Sequence, residues 1–417
     1  MAWRNGVMSA YFASGIVVST LVSRLPTVRD DLGLSHGEVG LLLLCLTLGS
    51  FITVSLSGLI VLRLGSGNAI KYGATLVGAA LLLAGFGSTV LNSVPVTGTA
   101  LALLGAGTAV WNVASNVQGA AMEAALGRVV MPVLHGFFSV GTVVGAGIGA
   151  ACAALLLPVG WHFSASGLGV VALVWWASRT FRPDARPGTA PAPQTVSTHT
   201  GALEIVAPPV TSTSSTGASV GGRAAMGRAW REGRTVLLGI MVLGMALAEG
   251  AAGDWVALAL ADGYGTADSV GALGYGVFVT AMMTARLLGG RVIERLGRVA
   301  VMRLSAVTAF AGLLLFVFGP TVAVGFAGLA LWGLGVALTF PVAMTAAADD
   351  PRHAAARVSV VSTLGYGAFL CGPPLLGLLA DQIGLLNALL LPAVLVVVSF
   401  TIAGAARPAA AASRLER

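Results

Sequence analysis

The chain has 417 residues, of which 56% are hydrophobic and 9% charged, with a mean hydropathy of +0.91. A soluble domain carries about 25% charged residues to cover its surface, so this composition excludes a water-soluble enzyme and requires lipid as solvent. The net charge of +7 does not indicate nucleic acid, because the basic residues sit in short loops and one linker, with no basic stripe interleaved with aromatics.

A bilayer core of about 30 Å takes roughly 20 apolar residues per helix. On that scale six spans come first, at 6–28, 37–62, 69–91, 96–125, 132–157 and 161–180. Six more lie at 235–261, 269–290, 299–319, 321–347, 358–381 and 385–405. Pro158 and Gly319-Pro320 mark the shortest breaks. The first run is long for a signal peptide and is followed by many equals, so it reads as an uncleaved span. Between the halves, 181–233 turns to Pro, Ser, Thr, Ala and Gly and reads as a disordered cytoplasmic linker; 407–417 reads as a cytoplasmic tail. Arginines near Arg228, Arg231 and Arg234 suit contact with anionic lipid.

Arginine placement sets the orientation. With the N-terminus inside, inner connections hold Arg63, Lys71, Arg128, the linker arginines, Arg291 to Arg303, Arg352 and Arg357. Outer connections hold Arg24 and Arg29 with Asp30, Asp31, Glu38, Asp262, Asp268 and Asp381. The positive-inside rule then puts both termini in the cytoplasm of a multi-pass protein. Arg over Lys usage, with much Ala and Gly, suggests a GC-rich bacterial genome and so a bacterial inner membrane.

The halves also repeat. Leu34-Ser35-His36-Gly37-Glu38-Val39-Gly40 opens span two as Gly265-Thr266-Ala267-Asp268-Ser269-Val270-Gly271 opens span eight, and Ser35 with Glu38 forms a capping box. Arg63-Leu64-Gly65 echoes Arg295-Leu296-Gly297. The expected fold is an all-α membrane protein with 12 transmembrane helices in two pseudo-symmetric six-helix bundles, 1–180 and 234–406.

Gly290-Arg291-Val292-Ile293-Glu294-Arg295-Leu296-Gly297-Arg298 resembles the cytoplasmic signature of the major facilitator superfamily, with Glu for Asp. The first copy keeps Arg63 and Gly65 but has Leu62 where the acid belongs. Arg24-Leu25-Pro26, Asn112 to Asn116 with Glu123, Met131-Pro132 with His135, and Glu249 to Trp255 resemble its fucose-permease-related, MosC-like branch. The resemblance implies alternating access between two parallel repeats. It also implies acids in spans one and four for sugar symport, but Val22 and Asn112 stand there.

Ionisable groups at mid-bilayer cost about 2.5–3.5 kcal/mol on insertion scales, so each invites a functional reading. Glu249 and Asp254 are the proton-coupling candidates, with a hydrogen-bonded packing acid as the alternative for Glu249. Asn112, Ser115 and Asn116 follow helical spacing along span four and suit a hydroxyl-rich solute, or else glue helices together. Tyr366 is a candidate for stacking on a solute ring, with a packing role as the alternative. The gating candidates are an Arg24–Asp254 outer ion pair, an inner network of Glu123, Arg128 and His135, and Arg286 with Glu294 beside Arg295. Gly141, Gly145 and Gly149 form a small-residue face on span five.

No phosphate-binding loop occurs, Lys71 is the only lysine, and neither the five His nor the three Cys fall at metal-ligand or catalytic spacing. The expectation is therefore a monomeric secondary transporter with no catalytic residues, no metal and no cofactor. Its partners are a small-molecule solute, protons and membrane lipids. The solute is a sugar, polyol or inositol-like compound, with a proton-driven drug or metabolite exporter as the alternative.

Overall fold

The computed structural model describes residues 2–127, 130–183, 226–350 and 353–407. Most of the linker, the 408–417 tail and Arg128 lie outside them. Among the described residues there is no strand, and twelve helices are long and apolar enough to cross a bilayer. They are Ala2–Val22, His36–Leu64, Ser66–Thr89, Val94–Glu123, Met131–Ala154, Val159–Ser178, Gly233–Gly263, Asp268–Leu296, Arg298–Phe318, Val322–Ala347, Ala356–Ile383 and Leu385–Ala406, called spans one to twelve.

The breaks fall where local chemistry demands them. Span one stops at Val22 rather than running to 28, and a separate helix, Leu25–Leu32, starts with Pro26 in its first turn. Proline lacks the N–H that would continue the first helix but suits the start of a second. Pro158 is the N-cap of span six, and Thr321, just after Pro320, caps span ten by accepting from Val324 N. The Ser35/Glu38 capping box is present at the start of span two. Span ten is interrupted between Val336 and Thr339.

The repeat is visible in the backbone. Gly33 and Gly265 have φ of 64° and 63°, and Gly65 and Gly297 have 77° and 76°. Each pair is 232 residues apart, and both lie where L side chains are strained, so the same turns recur at matched places.

Packing divides the chain into two compact units. One comprises Met1–Ala207, Gly253–Thr280 and Pro373–Ala388; the other comprises Pro208–Ala252, Ala281–Gly372 and Leu389–Arg417. The first unit holds spans one to six with the ends of spans seven, eight and eleven that carry the acid-rich connections. Its core gathers Ile70, Leu81, Leu101, Trp111 and Phe163. Span one lies against span five through the small-residue face: a Cβ on Gly141 would overlap the Phe12 carbonyl, and one on Gly145 would press on Ile16 and Ser19. Gly141→Leu is expected to abolish recovery of monodisperse protein, because lipid offers no hydrophobic drive to replace close contact. Gly147→Leu, whose Cβ meets nothing within 4 Å, is the control and should leave recovery unchanged in size-exclusion chromatography. In the second unit Gly312 and Gly335 bring span nine onto span ten, where Phe316 and Trp332 rings meet at 6.0 Å.

Candidate functional site

Three groups of polar side chains are held inside these units. The first lies between spans one, four and five. Tyr11 Oη donates to Asn116 Oδ1 at 2.6 Å, and Ser14 Oγ donates to Asn112 Oδ1 at 3.0 Å. Asn112 is buried and Asn116 half-buried, so both amide oxygens are engaged by span one while their NH₂ groups remain as donors. Ser115 is buried on the same helix. The His135 ring stands edge-on to Tyr11 at 5.2 Å. Glu123 and His135 are expected to share an inner network with Arg128. Glu123 accepts from Val130 N at 2.8 Å and Met131 N at 3.2 Å, because the start of span five leaves its first N–H groups unmet. Arg128, its expected third member, lies outside the described residues.

The second group is in the second unit. Glu249, midway along span seven, has a side chain 5% exposed, and Arg286 Nη2 of span eight donates to its Oε1 at 3.0 Å. Arg286 Nε also reaches the Ala337 carbonyl at 3.4 Å. That carbonyl lies at the break in span ten, where helical hydrogen bonding is interrupted. Arg286 therefore pairs with Glu249 and not with Glu294, which is exposed with Arg295 at the end of span eight. Tyr366 is half-buried on span eleven.

At the arginine-rich end of this unit lie ion pairs that sequence reasoning missed. Asp349 holds Arg298 at 2.6 Å and Arg234 at 2.8 Å, and Arg357 holds Glu232 at 2.7 Å. The available signal was the acid pair Asp349-Asp350 closing span ten opposite the Arg298 motif. Burial alone would raise the Glu232 pKa, but bonds from Arg357 and Thr235 outweigh it and lower the value below the ordinary carboxylate range. A depressed carboxylate stabilises the fold above its unfolded pKa and loses that effect as pH falls through the folded value. The thermal unfolding advantage of the wild type over Glu232→Gln should therefore be full at neutral pH, begin to fall near the ordinary Glu value of about 4.3 and be lost as pH drops through the lower folded value.

The third group occupies the acid-rich end of the first unit. Arg24 and Asp254 make no ion pair. The chain break after Val22 turns Arg24 towards the turn between spans five and six, where its Nη2 donates to Leu157 O at 2.7 Å. Its Nε donates to Thr27 Oγ1 at 3.3 Å, and Thr27 in turn donates to Asp268 Oδ2 at 2.7 Å. Asp254 is half-buried on span seven with no ion pair among the described residues. A π turn, Ala259–Gly263, ends span seven and delivers Asp262. Asp262 accepts from Arg29 and lies 2.8 Å from His36 Nε2. Burial would lower the Arg29 pKa, yet its bonds to Asp262 and Asp30 raise it instead. Asp381, from the end of span eleven, accepts from His36 N and Gly37 N at 2.9 Å each. A carboxylate on the positive end of the span-two helix is favourable electrostatically as well. Spans two, seven and eleven are thus latched at one end by two carboxylates that sequence reading had left unassigned to any site.

Comparison with known proteins places this arrangement. The family model described as Major Facilitator Superfamily matches residues 7–366 and 238–415. Transporter y4wD of Sinorhizobium fredii is 31% identical over 387 residues, 91% of each chain. Membrane protein MosC of Rhizobium meliloti is 27% identical over 395 residues, 93% of this chain and 86% of its own. The nucleoside transporter NupG superposes with a TM-score of 0.68 at 13% identity, covering 97% of this chain and 98% of its own. The E. coli fucose:proton symporter FucP, in a single-residue variant, gives 0.60 at 15% identity over 97% and 98%. At such identities these two structures share the fold alone. The family match over nearly the whole chain, with the twelve spans, makes this chain a multi-pass transporter of the Major Facilitator Superfamily.

Proposed function

We propose that the protein moves a small polar solute across the bacterial inner membrane by alternating access, coupled to protons, with both termini in the cytoplasm. The 1–180 and 234–406 halves act as the two moving bundles. The observation that carries the coupling is the Glu249–Arg286 pair, an acid buried midway along span seven held by an arginine of span eight. A proton taken from one side neutralises this carboxylate and frees the arginine, as a coupled carrier requires. Glu249 is the proton carrier in this reading, and Arg286 sets which conformation holds the charge. Asp254 is a secondary coupling candidate.

The solute contacts Asn112 and Asn116 through their NH₂ groups, which favours a compound rich in hydroxyl or carbonyl oxygens; Ser115 completes the contact, and Tyr366 is a separate candidate for solute contact in the second unit. The acid-rich latch of Arg29, Asp262, His36 and Asp381, with the Arg24–Thr27–Asp268 relay, is the outer gate. The test is accumulation of radiolabelled polyols and sugars in proteoliposomes with and without an imposed pH gradient. Gradient-dependent accumulation of a polyol or sugar supports the reading. Gradient-driven efflux of apolar drugs with no polyol movement would replace it by export.

A further inference from the structure

Arg24 is 2% exposed and His162 is 4% exposed, both inside the first unit. Two of the three guanidinium nitrogens of Arg24 are engaged, by Leu157 O and Thr27 Oγ1, but Nη1 is buried with no acceptor. Both ring nitrogens of His162 are likewise buried without a partner. Either tautomer of a neutral imidazole carries one N–H, so a second donor is unmet.

The two side chains are neighbours. Ser23 and the His162 ring both face Gly149, where a Cβ would strike the Ser23 side chain and lie 3.8 Å from His162 Cε1. The charge of Arg24 acts on His162 and on Cys152, one turn beyond Gly149. Asp31 and Asp268 act on Arg24 only at a distance, and it makes no ion pair among the described residues. A guanidinium cannot shed its proton to become neutral, so a buried one needs a negative partner. Arg24 Nη1 and one ring N–H of His162 are unmet donors beside a fixed positive charge, which rejects a cation; they come from the break after span one and from span six, and both side chains are buried, which admits only something small.

We propose that a small inorganic anion of halide size binds between Arg24 Nη1 and the His162 ring, tying the turn between spans five and six to the end of span one. This site is independent of the transported solute and of the Glu249–Arg286 pair.

The test uses the full-length protein in detergent, unfolded thermally in sodium chloride and in sodium gluconate at equal ionic strength, with chlorine NMR line broadening on the same samples. Chloride is expected to raise the unfolding temperature saturably by a few degrees, as a ligand of the folded state does, and to show broadening that excess bromide removes. Arg24→Gln and His162→Phe should lose both effects. Equal unfolding in the two salts with no broadening of the wild type overturns the site. So does a chloride effect of undiminished size in Arg24→Gln. Should Arg24→Gln fail to fold, the wild-type broadening and His162→Phe decide: a broadening that His162→Phe leaves intact also overturns it.

Discussion

Replacing Glu249 by leucine is expected to destabilise the protein far more than replacing Arg286 by leucine. Both changes break the same 3.0 Å pair. Glu249→Leu, however, strands a guanidinium that stays charged at any accessible pH, and removing one partner of a buried pair costs about 3–5 kcal/mol. Arg286→Leu leaves a carboxyl that, unlike a guanidinium, can be neutralised by a proton, so about 1–3 kcal/mol is expected for the lost hydrogen bond. The double variant should recover most of the wild-type stability, since an apolar replacement of a buried ion pair is often neutral. Unfolding in mixed micelles measures all four corners of the cycle. Equal losses in the two single variants would show that the acid does not take up a proton when Arg286 is removed.

The outer latch has the second large effect. In Asp262→Ala Arg29 and His36 lose the carboxylate they share, while Arg29 keeps Asp30 and Asp381 still holds His36 and the start of span two. The groups are partly exposed, at 15% for Arg29, 23% for His36 and 26% for Asp262, so screening reduces the effect. About 1–2 kcal/mol is expected, shifting the open population about 5–30-fold. The readout is labelling, by an impermeant reagent from outside, of a thiol placed at Val28, which is 2% exposed behind the latch. Asp30→Ala is the control: Asp30 is 59% exposed and bonded to Arg29 alone. Its labelling rate should change by less than about twofold.

The spans were legible because each needs a run of about 20 apolar residues, and that signal survives any detail of packing. Pro158, Gly319-Pro320 and the Ser35/Glu38 box act within a few residues of themselves, so their effects were readable too. The end of span one was misread because Leu25 and Val28 carry the apolar pattern past Arg24, whereas Pro26 begins a separate helix.

Partners were harder. Glu249 was identifiable as a lone acid in an apolar run, but its base was not. Arg286 and Glu294 are neighbours in sequence, yet eight residues of helix separate them by about 12 Å, too far for a direct bond. The partner Arg286 does take is 37 residues away. The repeat offset put Arg24 and Asp254 at matched depth, but the break after Val22 and the packing of the span-five turn send Arg24 elsewhere. The Asp381 contact with span two joins residues 345 apart, and nothing local marks it.

Whether Glu249 carries the coupled proton is read from proteoliposomes loaded with a pH-sensitive dye and driven by an outward gradient of a transported solute. The wild type should move protons with solute, and Glu249→Gln should exchange solute across the membrane while moving none. Proton movement of wild-type size in Glu249→Gln would contradict that role.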